Sequence, residues 1–285
     1  MLLGYNTNGL SNHSAQAGLE LLAKTGYRSV AITVDHGWLS PHHPDSPAQI
    51  QQFKHFLQSN GCSSVIETGA RFLLDPTEKH SPTLLHFKKS EVQKRIDFLK
   101  YCIDVGVELE SDCVSIWSGI KPSNISFNVA TERLVDNLKP VLEYAELRGI
   151  DIGFEPEPGM LIDTLGRFER LLHLFDSPRL MLTLDVSHIF VSDELPLAAQ
   201  LDRWKGKVAT MHISDVRSGE HQHLPFGQGQ IGFPLVLDAI AVVEYEGGIH
   251  IDLPDFSHQA AELIQSSHDF LLPLIKKAKE KNLEQ

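Results

Sequence analysis

A chain of 285 residues, 42% of them hydrophobic, is long enough to bury one large core or two ordinary ones. Lys plus Arg number 25 against 37 Asp plus Glu, a formal charge of −12 with no basic cluster; this argues against nucleic acid or an anionic membrane as the main partner, since phosphate contacts need grouped cations. Cys62, Cys102 and Cys113 lack CxxC spacing, Met1–Asn6 has neither a basic region nor a long apolar core, and no apolar run reaches membrane-spanning length, so the chain is expected to be cytoplasmic and to act on a small neutral or metal-chelated molecule.

In chain order, Leu2–Tyr5 reads as a strand ending at Asn6 and Asn8, and Ser14 caps a helix that runs through Thr25 and stops at Gly26. Ser29–Val34 is the next strand, ending at Asp35-His36. A segment rich in Pro and His, 38–47, leads to a helix from about Ala48 to Ser59 and a strand Ser63–Glu67. The loop after Glu67 runs through Arg71, Pro76, His80 and Pro82 to about Lys88. An irregular loop of that length in a compact domain is usually functional, often as a lid. Val92, Ile96, Leu99 and Ile103 then recur at helical spacing, with Gly106 as the expected stop. A strand Cys113–Trp117 follows, then a helix marked by Leu134, Leu138, Val141 and Ala145 and closed by Gly149.

The second half repeats one arrangement. Ile150–Glu155, Leu180–Asp185, Val208–His212 and Gly248–Asp252 are apolar runs of strand length, each ending in a residue able to bind a cation. Helical patterns separate them at Leu165–Phe175, more weakly at Leu197–Trp204, and at Pro234–Val243; a last helix covers about Ser257–Lys279. Eight strand-then-helix units without a linker predict an α/β fold, a single (β/α)8 TIM barrel over residues 1–285. In that fold every strand aims its C-terminal end at the face where active sites sit. A single acid after a strand is ordinarily a helix N-cap or a solvated loop residue. Several carboxylates converging in a medium of low dielectric repel one another by several kcal/mol, so they take up protons or gather round a cation. Three carboxylates and one imidazole suit Mn²⁺ or Mg²⁺, with Co²⁺ or Zn²⁺ as alternatives.

Glu155, Asp185-x-x-His188, His212-Ile213-Ser214-Asp215, the segment His223–Gly229 and Gly247-x4-Asp252 together resemble the xylose-isomerase-like TIM barrels. That superfamily includes sugar isomerases, ketose 3-epimerases, inosose dehydratases and apurinic-site endonucleases. The motifs lie within about residues 150–255, and the rest of the chain agrees by architecture. The resemblance implies one divalent metal ion held by Glu155, Asp185, His212 and Asp252, with Glu155 and Asp252 also moving a proton beside a substrate carbonyl through an ene-diolate. Asp252 departs from the family's usual Glu, and the missing methylene draws its carboxylate back by about 1.5 Å, which puts its role as acid or base in question.

Substrate contacts are expected from His188, Arg217, His36, Glu67, Trp117 and His223, with orientation of Asp185 as the alternative task for His188 and a surface salt bridge as that for Arg217. Glu157 reads as a solvated loop acid or a further substrate contact, and Gly227 and Gly229 shape a turn. The endonuclease branch places histidines where this chain has Glu67 and Trp117, and an acid where it has His221; with the acidic balance, that sets nuclease activity aside. The expected function is a metal-dependent isomerase or epimerase of a sugar or sugar-like keto or polyol substrate. An inosose-dehydratase-like lyase and a metal-binding barrel without turnover stand as alternatives, and a homo-oligomer is compatible with either.

Overall fold

Short apolar runs that are buried on both faces build a parallel sheet covered by helices, and the computed structural model, which describes residues 1–283, shows that sheet closed on itself. Its strands are β1 (Leu2–Asn6), β2 (Ser29–Thr33), β3 (Ser63–Glu67), β4 (Cys113–Ile116), β5 (Asp151–Phe154), β6 (Leu180–Asp185), β7 (Val208–Ile213) and β8 (Gly248–Ile251). They pair in sequence order, and β8 closes on β1 through Leu3 beside Ile249. The chain is therefore a (β/α)8 barrel.

The helices are α1 (Ala15–Thr25), α2 (Ser46–Asn60), α3 (Lys89–Leu109), α4 (Phe127–Arg148), α5 (Leu165–Leu172), α6 (Val186–Val191), α7 (Leu197–Arg203), α8 (Phe233–Val242) and α9 (Ala260–Leu283). Ser14 accepts from the Ala17 N–H at 3.4 Å and starts α1, which Gly26 ends in the left-handed conformation, as its sequence suggests. Gly106 does not stop α3. The helix continues to Leu109, because a Cβ at position 106 would stand 2.8 Å from Ile150 Cδ1. Glycine there lets the helix approach the barrel, and Glu110 takes the left-handed terminal position instead. The short α6, which has no periodicity to announce it, begins directly at the end of β6. All three cysteines are free, and among the described residues no helix is long and apolar enough to cross a membrane.

A polar cluster centred on His250 sits inside the barrel below its mouth. His250 on β8 is fully buried, with Nε2 2.8 Å from Ser29 Oγ and Nδ1 3.1 Å from Thr210 Oγ1. Two glycines make room for the ring: a Cβ on Gly4 would lie 2.4 Å from its Cδ2, and one on Gly248 2.5 Å from its Cε1. Gly4→Ala is expected to destabilise the fold by ~1–3 kcal/mol through overpacking, read as a lower urea midpoint at unchanged slope.

Burial, and then the neighbouring His212, push the His250 imidazole down to about 3. The unfolded ring takes its proton near pH 6.5, so the contribution of neutral His250 to stability is complete above that pH and is lost as pH falls toward the folded value. Between pH 6.5 and 5, wild type should lose up to ~1.4 kcal/mol per pH unit more than His250→Asn in paired urea titrations. Equal slopes in the two proteins would contradict this.

Candidate active site

The C-terminal ends of β3, β5, β6, β7 and β8 deliver Glu67, Glu155, Asp185, His212 and Asp252 to one mouth of the barrel. Register sets their neighbours: Asp185 lies beside His212, and His212 beside His250. None of the five side-chain-bearing residues is more than 7% exposed. Ligand atoms of Glu155, Asp185 and His212 lie within 4.8 Å of one another, as do those of Asp185, His223 and Asp252. Asp185 is common to both groups, so the four residues named from sequence meet around it.

The imidazole of His212 is held at both ends. Its Nδ1 is 3.1 Å from Glu155 Oε1 and its Nε2 is 2.9 Å from Glu67 Oε1. Burial disfavours the imidazolium, but Glu67 and Glu155 outweigh it and hold the ring protonated well above its usual range. Burial in turn pushes Glu155 up to about 7, against the pull of His212. For Asp185 burial is again the largest effect, yet His188, His223 and His212 together keep its carboxyl well below the usual range. The centre thus gathers negative charge round a site where a cation is favoured.

Asp185 divides its two oxygens between two tasks. Oδ1 caps α6, accepting from the Ser187 N–H at 2.6 Å and the His188 N–H at 3.2 Å. Oδ2 is buried and, among the described residues, has no hydrogen-bond partner, with His188 Nε2 3.7 Å away. A buried carboxylate oxygen left unpaired costs about 1–3 kcal/mol or more, and a metal ion removes that cost. The donor set, the orphaned oxygen and the spacing all fit a divalent ion.

Asp252 is fixed from outside the expected set: Asn8 Nδ2 donates to its Oδ1 at 2.5 Å, and His223 Nδ1 stands 3.5 Å from its Oδ2. His188 Nδ1 is 3.1 Å from the Pro156 carbonyl oxygen and its Nε2 is 3.1 Å from His221 Nε2. Burial pushes His188 down to about 4, so the ring is a neutral hydrogen-bonding partner.

A cavity of about 360 Å³ opens in front of these groups, and Glu67, Trp117, Glu155, His188, His212, His223 and Asp252 line it. Glu157 lines it too and is not simply a solvated loop acid: burial and then Glu155 hold its carboxyl well above the usual range. The alternation Glu155-Pro156-Glu157 was the available signal. Asn8 had none beyond its place at a strand end.

His36 and Arg217 do not join the cavity; both are exposed. Asp35 and Trp38 exchange backbone hydrogen bonds of 2.9 and 3.0 Å, which leaves His36 at the tip of a tight turn. Asp215 and Leu224 exchange another pair, of 2.9 and 2.8 Å, and the Asp215 carboxylate accepts the N–H groups of Gly227, Gly229 and Ile231 at 2.9, 2.8 and 3.1 Å. That closure turns the segment from Arg217 to Glu220 outward and explains the Gly227 and Gly229 turn.

A (β/α)8 barrel with a buried carboxylate and imidazole centre at its C-terminal mouth defines the class. Residues 19–274 match the xylose isomerase-like TIM barrel family, and the chain belongs to it. It is 27% identical over 164 residues to a fructoselysine 3-epimerase of Shigella flexneri, covering 56% of this chain and 59% of that one. It is 28% identical over 138 residues to an inosose dehydratase of Lacticaseibacillus casei, covering 42% and 46%. The chain thus spans less than two thirds of the length of either enzyme. The IolI protein, solved with a bound zinc atom, has the same fold, with a TM-score of 0.76 at 18% identity over 98% of this chain and 99% of that one.

Proposed function

We propose that the protein is a divalent-metal-dependent isomerase or epimerase of a sugar or sugar-like keto or polyol substrate. The observation that carries this is Asp185 Oδ2, a buried carboxylate oxygen without a hydrogen-bond partner among the described residues, set among Glu155, His212 and Asp252 at a barrel mouth that opens into a cavity. Glu155, Asp185, His212 and Asp252 would hold the ion, Mn²⁺ or Mg²⁺ by the predominance of oxygen donors, with Co²⁺ or Zn²⁺ as alternatives. When bound, it supplies Lewis-acid stabilisation of the negative charge that builds on the substrate oxygens.

The remaining work falls to side chains. Glu155, poised near neutrality, takes the proton from the carbon beside the substrate carbonyl, and the electron pair of that C–H bond moves toward the carbonyl oxygen to give an ene-diolate. Asp252, or a water it holds, returns a proton at the adjacent carbon or on the opposite face. Asn8 fixes Asp252 in place. Glu67 orients His212 as outer carboxylates orient metal-binding histidines, in addition to lining the cavity. His223, and His188 on exchanging its contact with His221, offer ring nitrogens to substrate hydroxyls, and Trp117 presents an apolar wall.

The dehydratase relative supports a second reading, in which the same ene-diolate expels a β-hydroxyl group. Incubation of the metal-loaded protein in D₂O with a panel of ketoses and inososes separates the two. Deuterium incorporation at unchanged product skeleton supports isomerisation or epimerisation, and a product one water lighter supports the lyase. Neither exchange nor loss of water from any member, with metal bound, would contradict both.

A further inference from the structure

Arg71 and Lys79 are the two Lys or Arg side chains that line the cavity, and both come from the loop 68–88 between β3 and α3. Eight residues apart in sequence, they form no basic run. The backbone that carries Arg71 is unusual: Ala70 and Arg71, neither of them glycine, have φ of +60° and +42°, and Ala70 is fully buried. L residues adopt that left-handed conformation at a cost, and such positions persist where the surrounding structure enforces them.

Arg71 is fixed at the cavity wall from two sides. Its Nη2 donates to the Asn8 carbonyl oxygen, and its Nε lies 3.5 Å from Asp35 Oδ2. One of its five N–H groups is donated to Asn8, and the Asp35 carboxylate stands beside the guanidinium as an ion-pair partner. Asn8 also holds Asp252 through its side chain, so the guanidinium is tied through a single residue to the reacting end of the cavity. Lys79 is exposed and has no hydrogen bond or ion pair among the described residues. Asp255, also on the lining, is exposed like Lys79, and water screens the two charges alike.

Among the other lining acids, Glu67, Glu155, Glu157 and Asp252, and the histidines, a neutral sugar finds enough hydroxyl partners. Two cations facing the cavity match a different need. We propose that Arg71 and Lys79 form an anion subsite, and that the substrate carries a carboxylate or phosphate group remote from its reacting carbonyl; this rests on the isomerase or epimerase reading above. A planar guanidinium with free N–H groups pairs with either oxyanion, and a flexible ammonium adds charge without fixing geometry.

The test compares D-fructose, D-fructose 6-phosphate and 5-keto-D-gluconate on the metal-loaded protein, reading Kd by calorimetry and KM by deuterium incorporation. At least one anionic ketose should bind about tenfold or more tightly than D-fructose, and which one separates phosphate from carboxylate. Arg71→Met and, independently, Lys79→Met should each reduce that preference by about fivefold or more; the Lys79 side chain is exposed, so its replacement removes no buried contact. Absence of a preference in wild type, or one unchanged in both variants, overturns the subsite. Failure of every ketose to exchange deuterium overturns the isomerase reading instead, and the Kd values then decide the subsite on their own.

Discussion

Glu155→Gln is expected to slow exchange of the substrate C–H proton by about 10²–10⁴-fold, the usual contribution of a positioned general base. The amide keeps the size and one oxygen of the side chain but cannot take up a proton. Because Glu155 also sits within ligand distance of Asp185 and His212, part of any loss could arise from weaker metal binding, so the rate is to be measured across a series of metal concentrations. The loss should persist when the site is saturated. Recovery of the wild-type rate at high metal would make Glu155 a ligand without a share in proton transfer.

Asp185→Asn should weaken metal binding by more than the 10–100-fold typical of removing an outer partner. The variant separates the two tasks of this residue. Asn serves as an N-cap about as well as Asp, so the bonds from Ser187 and His188 that start α6 can be kept. What disappears is the charge behind the unpartnered Oδ2. The metal-free variant is expected to melt close to the metal-free wild type, while the metal-dependent rise in melting temperature shrinks with the lost affinity. Equal metal affinity in the two proteins would remove Asp185 from the centre.

The barrel was legible because its strands are short, apolar and separated by helical periodicity, and because in a parallel barrel every strand ends on the same side. The strand-end candidates Glu155, Asp185, His212 and Asp252 follow from that rule without knowledge of any side-chain direction. Loops carry no such rule. His36 and Arg217 stand close in sequence to strand ends, yet the Asp35 to Trp38 turn and the Asp215 closure point them away from the cavity, and neither set of backbone bonds can be read from spacing. Gly106 illustrates the same limit inside a helix, where a glycine that looks like a stop answers instead to the approach of Ile150. The contact between Asn8 and Asp252 joins the first strand end to the last, and only closure of the barrel creates it.

The most direct measurement of the central claim is anomalous diffraction at the manganese edge from crystals soaked in Mn²⁺. A single strong peak about 2.0–2.3 Å from oxygen atoms of Glu155, Asp185 and Asp252 and a ring nitrogen of His212 is predicted. No peak at the barrel mouth, or one bound by other residues with Asp185 Oδ2 still unpartnered, would contradict it.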